Sequence, residues 1–258
     1  MLLLGLYKIL ILDTSEDSPE ICSLKKHIYD LLYMDNCAIS FNDPDKLIWA
    51  YKQLESIFSP YKFELQQFVT NHMTLQEELN SNMDAQCKLF GMLWDRKLDT
   101  LSTQKLHLDK TACTKREILR SIASNFDVFN FAGPLLNRAR LFMHELQCLK
   151  ELGWDTKLPA DKLKVWSNIV KQVNNSPIIP VKRFLGERKD NYKIIAFTDS
   201  SRLIYGCVVF IMNQNTNQVS FLLAKNRIMN KQLEAKSIPS LEFHAISFGT
   251  EVLVDTYK

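Results

Sequence analysis

The last quarter of the 258-residue chain places the tightest limits on its fold. A short apolar strand, Ile194-Ile195-Ala196-Phe197, ends in Thr198-Asp199-Ser200-Ser201, and apolar runs follow at 203–212 and 219–225. The Asn/Gln-rich stretch 213–218 reads as the turn between those two runs. A helix is predicted from about Pro239 onward, with Glu242 in its first turns. One carboxylate thus falls on a strand and a second on a helix packed beside it. Hard divalent cations are held by oxygen ligands of this kind for phosphodiester chemistry.

Composition limits what the rest can be. With 46% hydrophobic residues, seven Gly and eight Pro, the chain is globular and has a real core. Its formal net charge is only +3, so affinity for nucleic acid has to come from local basic stretches. The six cysteines (22, 37, 87, 113, 148 and 207) show no C-x-x-C pair and no regular spacing. They read as reduced packing thiols of an intracellular protein, cytoplasmic or nuclear, and not as a zinc site. His144 and Cys148 share a helix face at i, i+4 but lack further ligands. The first twelve residues are apolar except for Lys8, too short to cross a bilayer, and predict a core strand from Leu6 to Leu12. No other apolar run reaches spanning length, so no membrane partner is expected.

Helical spacing of Ile21, Leu24, Ile28 and Leu31 predicts a helix over 19–31. Two apolar runs flanking Asp35-Asn36 predict a hairpin with that pair at its turn. Asp43-Pro44-Asp45 opens a second helix, which Pro60 ends. Strands are predicted at 63–69 and 88–94. Thr114-Lys115-Arg116-Glu117 has the form of a capping box, and helices are predicted over 135–152 and 161–173. The stretch 174–190, with Pro177 and Pro180 and a basic second half, is the best linker candidate. Trp94, Trp154 and Trp166 are expected as core anchors.

Several segments, in order, match one family: Phe90-Gly91-Met92-Leu93-Trp94-Asp95; Thr114 to Leu119 with Ile122-Ala123 and Phe126-Asp127; Gly153-Trp154-Asp155 with Leu158-Pro159 and Trp166; Ile179-Pro180; Phe197 to Ser201 with Tyr205-Gly206; and Ser237 to Glu242. Over residues 87–258 the chain resembles the polyprotein of BEL/Pao-type LTR retrotransposons, in the part known as the Pao retrotransposon peptidase family. Ahead of it, Tyr33-Met34-Asp35-Asn36 sits where the family has Tyr-x-Asp-Asp, and Leu65 to Asn71 resembles the segment behind that turn. The resemblance implies an α+β protein: a reverse-transcriptase palm remnant (1–95), a helical thumb or connection region (96–178), and an incomplete ribonuclease H-like mixed sheet with helix (190–258).

The activities that the resemblance implies are tested by their ligand needs. Polymerisation by two metal ions needs a carboxylate cluster, and Asn36 is a neutral amide where the second turn carboxylate belongs. Asp35 is therefore read as vestigial. Ribonuclease H chemistry needs a strand Asp, a helix Glu and a further Asp. Asp199 and Glu242 match the first two, and as an incomplete pair they would hold Mg²⁺ only weakly. Asp255 lies thirteen residues past Glu242, about 20 Å along a helix at 1.5 Å per residue, and cannot share their site. A retroviral-type aspartic protease depends on Asp-Thr/Ser-Gly, and neither Asp13-Thr14-Ser15 nor Asp199-Ser200-Ser201 has the Gly.

What remains is binding. Lys115, Arg116, Arg120, Lys182 and Arg183 are the expected phosphate contacts to an RNA–DNA hybrid or other nucleic acid, salt-sensitive and blind to sequence. The chain is accordingly read as a truncated, catalytically inactive fragment of a retrotransposon pol polyprotein. The alternatives are a co-opted nucleic-acid- or protein-binding module, or a Mg²⁺ nuclease completed in trans.

Overall fold

Two prolines set the first helices. α1 (Pro19–Asp30) and α2 (Pro44–Phe58) each carry Pro in the first turn, where a missing N–H costs nothing. Ser18 accepts from the Ile21 amide at 3.4 Å, and Asp43 accepts from the Asp45 amide at 3.0 Å. The computed structural model describes residues 9–10, 17–33, 36–63, 65, 68–78, 86–187, 189–230, 233 and 235–257. It divides into two units, residues 1–90 with 95–99, and residues 91–94 with 100–258.

In the first unit, Leu24 and Ile28 of α1 and Ala50, Ile57 and Phe58 of α2 form one core with Ile9 and Leu10. Ile9 and Leu10 lie in a helical turn of π type, so the described part of the predicted first strand is not extended. The hairpin is present, with β1 (Leu32–Tyr33) antiparallel to β2 (Asn36–Cys37). Asn36 is not in its turn, because it pairs with Tyr33 on the return strand. Met34 and Asp35, the latter read from the sequence as vestigial, lie outside the described residues. The strand predicted at 63–69 is not seen in the residues described there. Phe63 and Phe68 instead pack edge-on against Phe58 and Tyr51, at 6.4 and 4.9 Å between ring centroids, so contacts with α2 replace sheet pairing. A short helix, α3 (Met73–Glu78), follows.

The single strand predicted over 88–94 is two strands, β3 (Gln86–Leu89) and β4 (Met92–Asp95). Phe90 and Gly91 between them take φ of 50° and 79°, a left-handed pair that reverses the backbone. In the second unit β5 (Thr100–Ser102) lies between β4 and β6 (Val181–Lys182), with Leu101 opposite Val181. The expected linker thus contributes a strand.

Three helices make the larger core: α4 (Lys115–Ala123), α5 (Gly133–Cys148) and α6 (Ala160–Asn174). The capping box forms as read from the sequence. Thr114 Oγ1 accepts from the Glu117 amide at 3.3 Å, while Glu117 Oε2 accepts from the amides of Thr114 and Cys113 at 3.1 and 2.9 Å. Ile118, Leu136 and Leu146 are wholly buried with Trp166, whose indole N–H donates to the Asp109 carbonyl at 3.0 Å. Trp94 is buried as well. Trp154 is 44% exposed and no core anchor; its carbonyl, not its ring, makes the tertiary contact, accepting from the Arg116 amide at 3.1 Å.

The predicted C-terminal array is confirmed. β7 (Tyr192–Ser200), β8 (Ile204–Asn213) and β9 (Gln218–Ile228) pair antiparallel in that order, and α7 (Ile238–Tyr257) covers one face. Tyr205, Cys207 and Val209 of β8 are buried against Leu241, Ala245, Phe248 and Val252 of the helix. Only Cys207 of the six cysteines is buried, and that burial pushes its thiol up. On the opposite face Phe197, Phe210, Phe221, Phe131 and Phe129 form a continuous row of ring contacts with centroids 5.0–6.1 Å apart. The free side of β9 is held by the Ala224 amide, which donates to the Phe129 carbonyl at 2.9 Å. No helix among the described residues is long and apolar enough to cross a membrane.

Candidate nucleic-acid and metal site

Strand alternation decides where the first carboxylate points. Ile194 and Ala196 of β7 pack into the core beneath α7, and Thr198 meets Gly249 of that helix. The pleat turns Asp199 to the other side of the sheet, where it is exposed opposite Gly206 of β8. Its Oδ1 accepts from the Ser200 amide at 2.8 Å. Beyond it the chain reverses on Ser201. The Ser201 Oγ accepts from the amides of Leu203 and Ile204 at 3.1 and 3.0 Å, and its own amide donates to the Ile204 carbonyl at 2.9 Å.

The second carboxylate reaches the same end of the sheet through the direction of the helix. Tyr205, the partner of Ser200, packs on His244 and Phe248 with ring centroids 4.9 and 5.2 Å away, whereas Thr198 sits beside Gly249. α7 therefore runs antiparallel to β7, and its first turns, with exposed Glu242, lie where β7 ends in Asp199-Ser200. Asp255 is on the last turn of the same helix. Among the described residues no group of three or more His, Cys, Asp or Glu side chains is arranged to hold a metal. Asp199 faces away from α7, the helix that carries Glu242, and two ions about 4 Å apart need more carboxylates than this pair supplies. The donor set does not fit a catalytic metal pair.

The basic residues separate by environment. Lys115 is only 4% exposed and donates from Nζ to the Leu149 and Leu152 carbonyls, both at 2.8 Å, which closes the end of α5. This corrects its reading as a phosphate contact, because its charge serves buried carbonyls. Arg116 forms a bidentate pair with Asp155 at 2.7 and 3.0 Å, and that carboxylate already occupies its fork. Arg120 and Lys182 are exposed. Arg183 lies over the Trp94 ring, 5.5 Å from its centroid.

One polar group carries no sequence motif. Arg140 of α5 is half-buried, and its Nη1 lies 3.3–3.4 Å from the Oδ1 atoms of Asn130, Asn137 and Asn226. Asn226 Nδ2 also donates to Asn137 at 3.0 Å, which braces β9 against α5. Burial pushes the Arg140 guanidinium down, and Asp127 opposes that shift. Asn137 lies one turn from Arg140 on α5, and Asn226, 86 residues from Arg140, is brought to them only by the fold.

A family model described as the Pao retrotransposon-like RNaseH-like domain matches residues 114–258, more than half of the chain. The chain belongs to this Pao retrotransposon-like family. The match begins ahead of α4 and takes in both the helical core and the sheet, so the Pao-type segment includes the Asp199–Glu242 end and the Arg140 cluster alike. Among solved structures, the foamy viral protease-reverse transcriptase in complex with RNA/DNA hybrid is similar, with a TM-score of 0.54 at 11% identity. That similarity covers 92% of the Pao-type chain and 30% of the viral one, so the chain spans less than a third of the protein it matches. At this identity the likeness is one of fold: helices and antiparallel sheets arranged as in a retroviral reverse-transcriptase/ribonuclease H region. No curated protein is significantly similar in sequence.

Proposed function

We propose that the chain is a segment of a retrotransposon pol polyprotein that holds nucleic acid and, by itself, neither copies nor cuts it. In this reading residues 1–95 are a palm remnant, 96–178 a thumb or connection region, and 190–258 a ribonuclease H-like lobe. The carrying observation is the shared position of Asp199 and Glu242 at one end of the family-matched sheet, without a third metal-ligating side chain clustered with them among the described residues. Two carboxylates do not suffice to stabilise both the attacking and the leaving oxygen of a phosphodiester. Asn36 in place of a carboxylate argues the same for polymerisation.

An RNA–DNA hybrid is the ligand best supported, since the foamy viral protein of similar fold is bound to one. Arg120, Lys182 and Arg183 would contribute phosphate contacts that weaken as salt rises. Electrophoretic shift of a short hybrid across a salt series, followed by incubation with Mg²⁺, tests both halves of the reading. The expected result is a salt-sensitive complex with the hybrid left intact and an annealed primer unextended. Mg²⁺-dependent cleavage by the chain alone, abolished by Asp199→Asn, would overturn the inactive half.

A further inference from the structure

The free side of β9 opens onto a cationic cleft of about 640 Å³ that the Asp199–Glu242 end does not use. Parity decides which backbone groups face it. The Lys225 carbonyl points inward, 3.2 Å from where a methyl on Gly206 would lie, and the Ala224 amide points outward to Phe129. Asn226 and Ile228, two and four residues on, therefore turn their amides outward into the cleft. Arg140, Lys225 and Arg227 line it as well, with Arg227 held over the Phe248 ring at 5.0 Å.

The side-chain charge of this lining is one-sided. The contacts of Arg140 are neutral amide oxygens, an unusual environment for a half-buried guanidinium, which is ordinarily paired with an acid. Asp127 is the acid that influences it, and its two oxygens already accept from the amides of Phe131 and Ala132 at 2.9 and 2.8 Å. Three cations and the outward amides of Asn226 and Ile228 line the cleft beside those residues' own outward carbonyls, and no carboxylate among the described residues lines it. An added peptide strand would need a longer ladder than two amides, because the Ala224 amide is already taken by Phe129. A single tetrahedral oxyanion matches the donors available.

We propose that this cleft seats one backbone phosphate of the nucleic acid that the chain binds. The proposal rests on the nucleic-acid reading above and gives it a specific surface.

The test uses the full chain. The amide resonances of Asn226 and Ile228 are followed while a short RNA–DNA hybrid or inorganic pyrophosphate is added. Hybrid affinity against salt is then measured for the native chain, for Lys225→Ala with Arg227→Ala, and for a control pair on α6, Lys164→Ala with Lys171→Ala. All four side chains are exposed, so folding is not at stake. Both titrants are expected to move the two amides. The cleft pair should lower the salt slope by about 0.9, one phosphate contact, while the control leaves it unchanged. If the hybrid binds but the two amides stay still and the slope is unaltered, the cleft proposal is overturned and the function stands. If the native chain does not bind the hybrid at all, both fail, and a response to pyrophosphate alone would mark an anion cleft unrelated to nucleic acid.

Discussion

A methyl group on Gly249 would overlap the Cγ2 of Thr198, so α7 and β7 touch at that point with no room for a side chain. This contact aligns the helix that carries Glu242 with the strand that carries Asp199. It also reverses an ordinary expectation about glycine in helices.

Replacing an exposed helical Gly by Ala normally stabilises by about 1 kcal/mol. At position 249 the added methyl forces overpacking, which costs about 1–3 kcal/mol. Gly249→Ala should therefore lower the thermal midpoint, and Thr198→Ser in the same chain, which removes Cγ2, should restore most of the loss. A higher midpoint for Gly249→Ala alone would show that the two elements are not in contact.

Lys115→Met separates structure from binding. Losing the ammonium takes the donor from the Leu152 carbonyl and leaves the Leu149 carbonyl with the Leu152 amide at 3.2 Å, at about 1–3 kcal/mol for an unsatisfied group. Urea unfolding should show that loss. Hybrid affinity of the folded variant should be unchanged, in contrast with Arg120→Ala.

Acid should weaken the helical core before the thiols or lysines matter. Three carboxylates there are held below their ordinary values: Glu117 by the Cys113 amide, Asp155 by its hydrogen bond and charge pair with Arg116, and Asp109 by the Thr111 hydroxyl and amide. For each, the unfolded chain takes up a proton first as pH falls. Their stabilising contribution is complete above the ordinary values of 4.5 for Glu and 3.8 for Asp, and is lost progressively below them. Denaturant midpoints measured from pH 7 down to pH 3 should fall in the acid limb, with a shallower fall in Glu117→Gln.

Phe197 is 61% exposed on β7, a strand paired on one side only among the described residues. An unpaired edge with a large apolar ring invites association. Light scattering of concentrated full chain should drop on Phe197→Lys with little change in melting temperature. Residues 190–258 expressed alone should aggregate, since they also lose the Phe129 carbonyl and the Arg140 brace.

Local signals carried much of the fold. Ser18, Asp43 and the Thr114–Glu117 box mark helix starts by hydrogen bonds made within three residues, so position in the sequence suffices to find them. Short apolar runs in β7 and β8 revealed the sheet in the same way. Where a residue's role depends on distant partners, the sequence misled. Lys115 looks like any first-turn cation until two carbonyls from the end of α5 and the turn after it close around it. The stretch 63–69 reads as a strand, yet α2 offers the Phe63 and Phe68 rings a better surface than a sheet would. The Arg140 cleft has no linear signature, because Asn226 joins Asn137 and Arg140 only after β9 docks on α5.

The Phe129–Ala224 bond gives the outermost rung of the sheet to a stretch of chain that precedes α5. A protease cutting between α6 and β7 would consequently not release two independent products. The pieces would stay clasped by that rung, by the Phe131–Phe221 rings and by the Arg140–Asn226 amide contact, and would leave a sizing column together until a denaturant parted them.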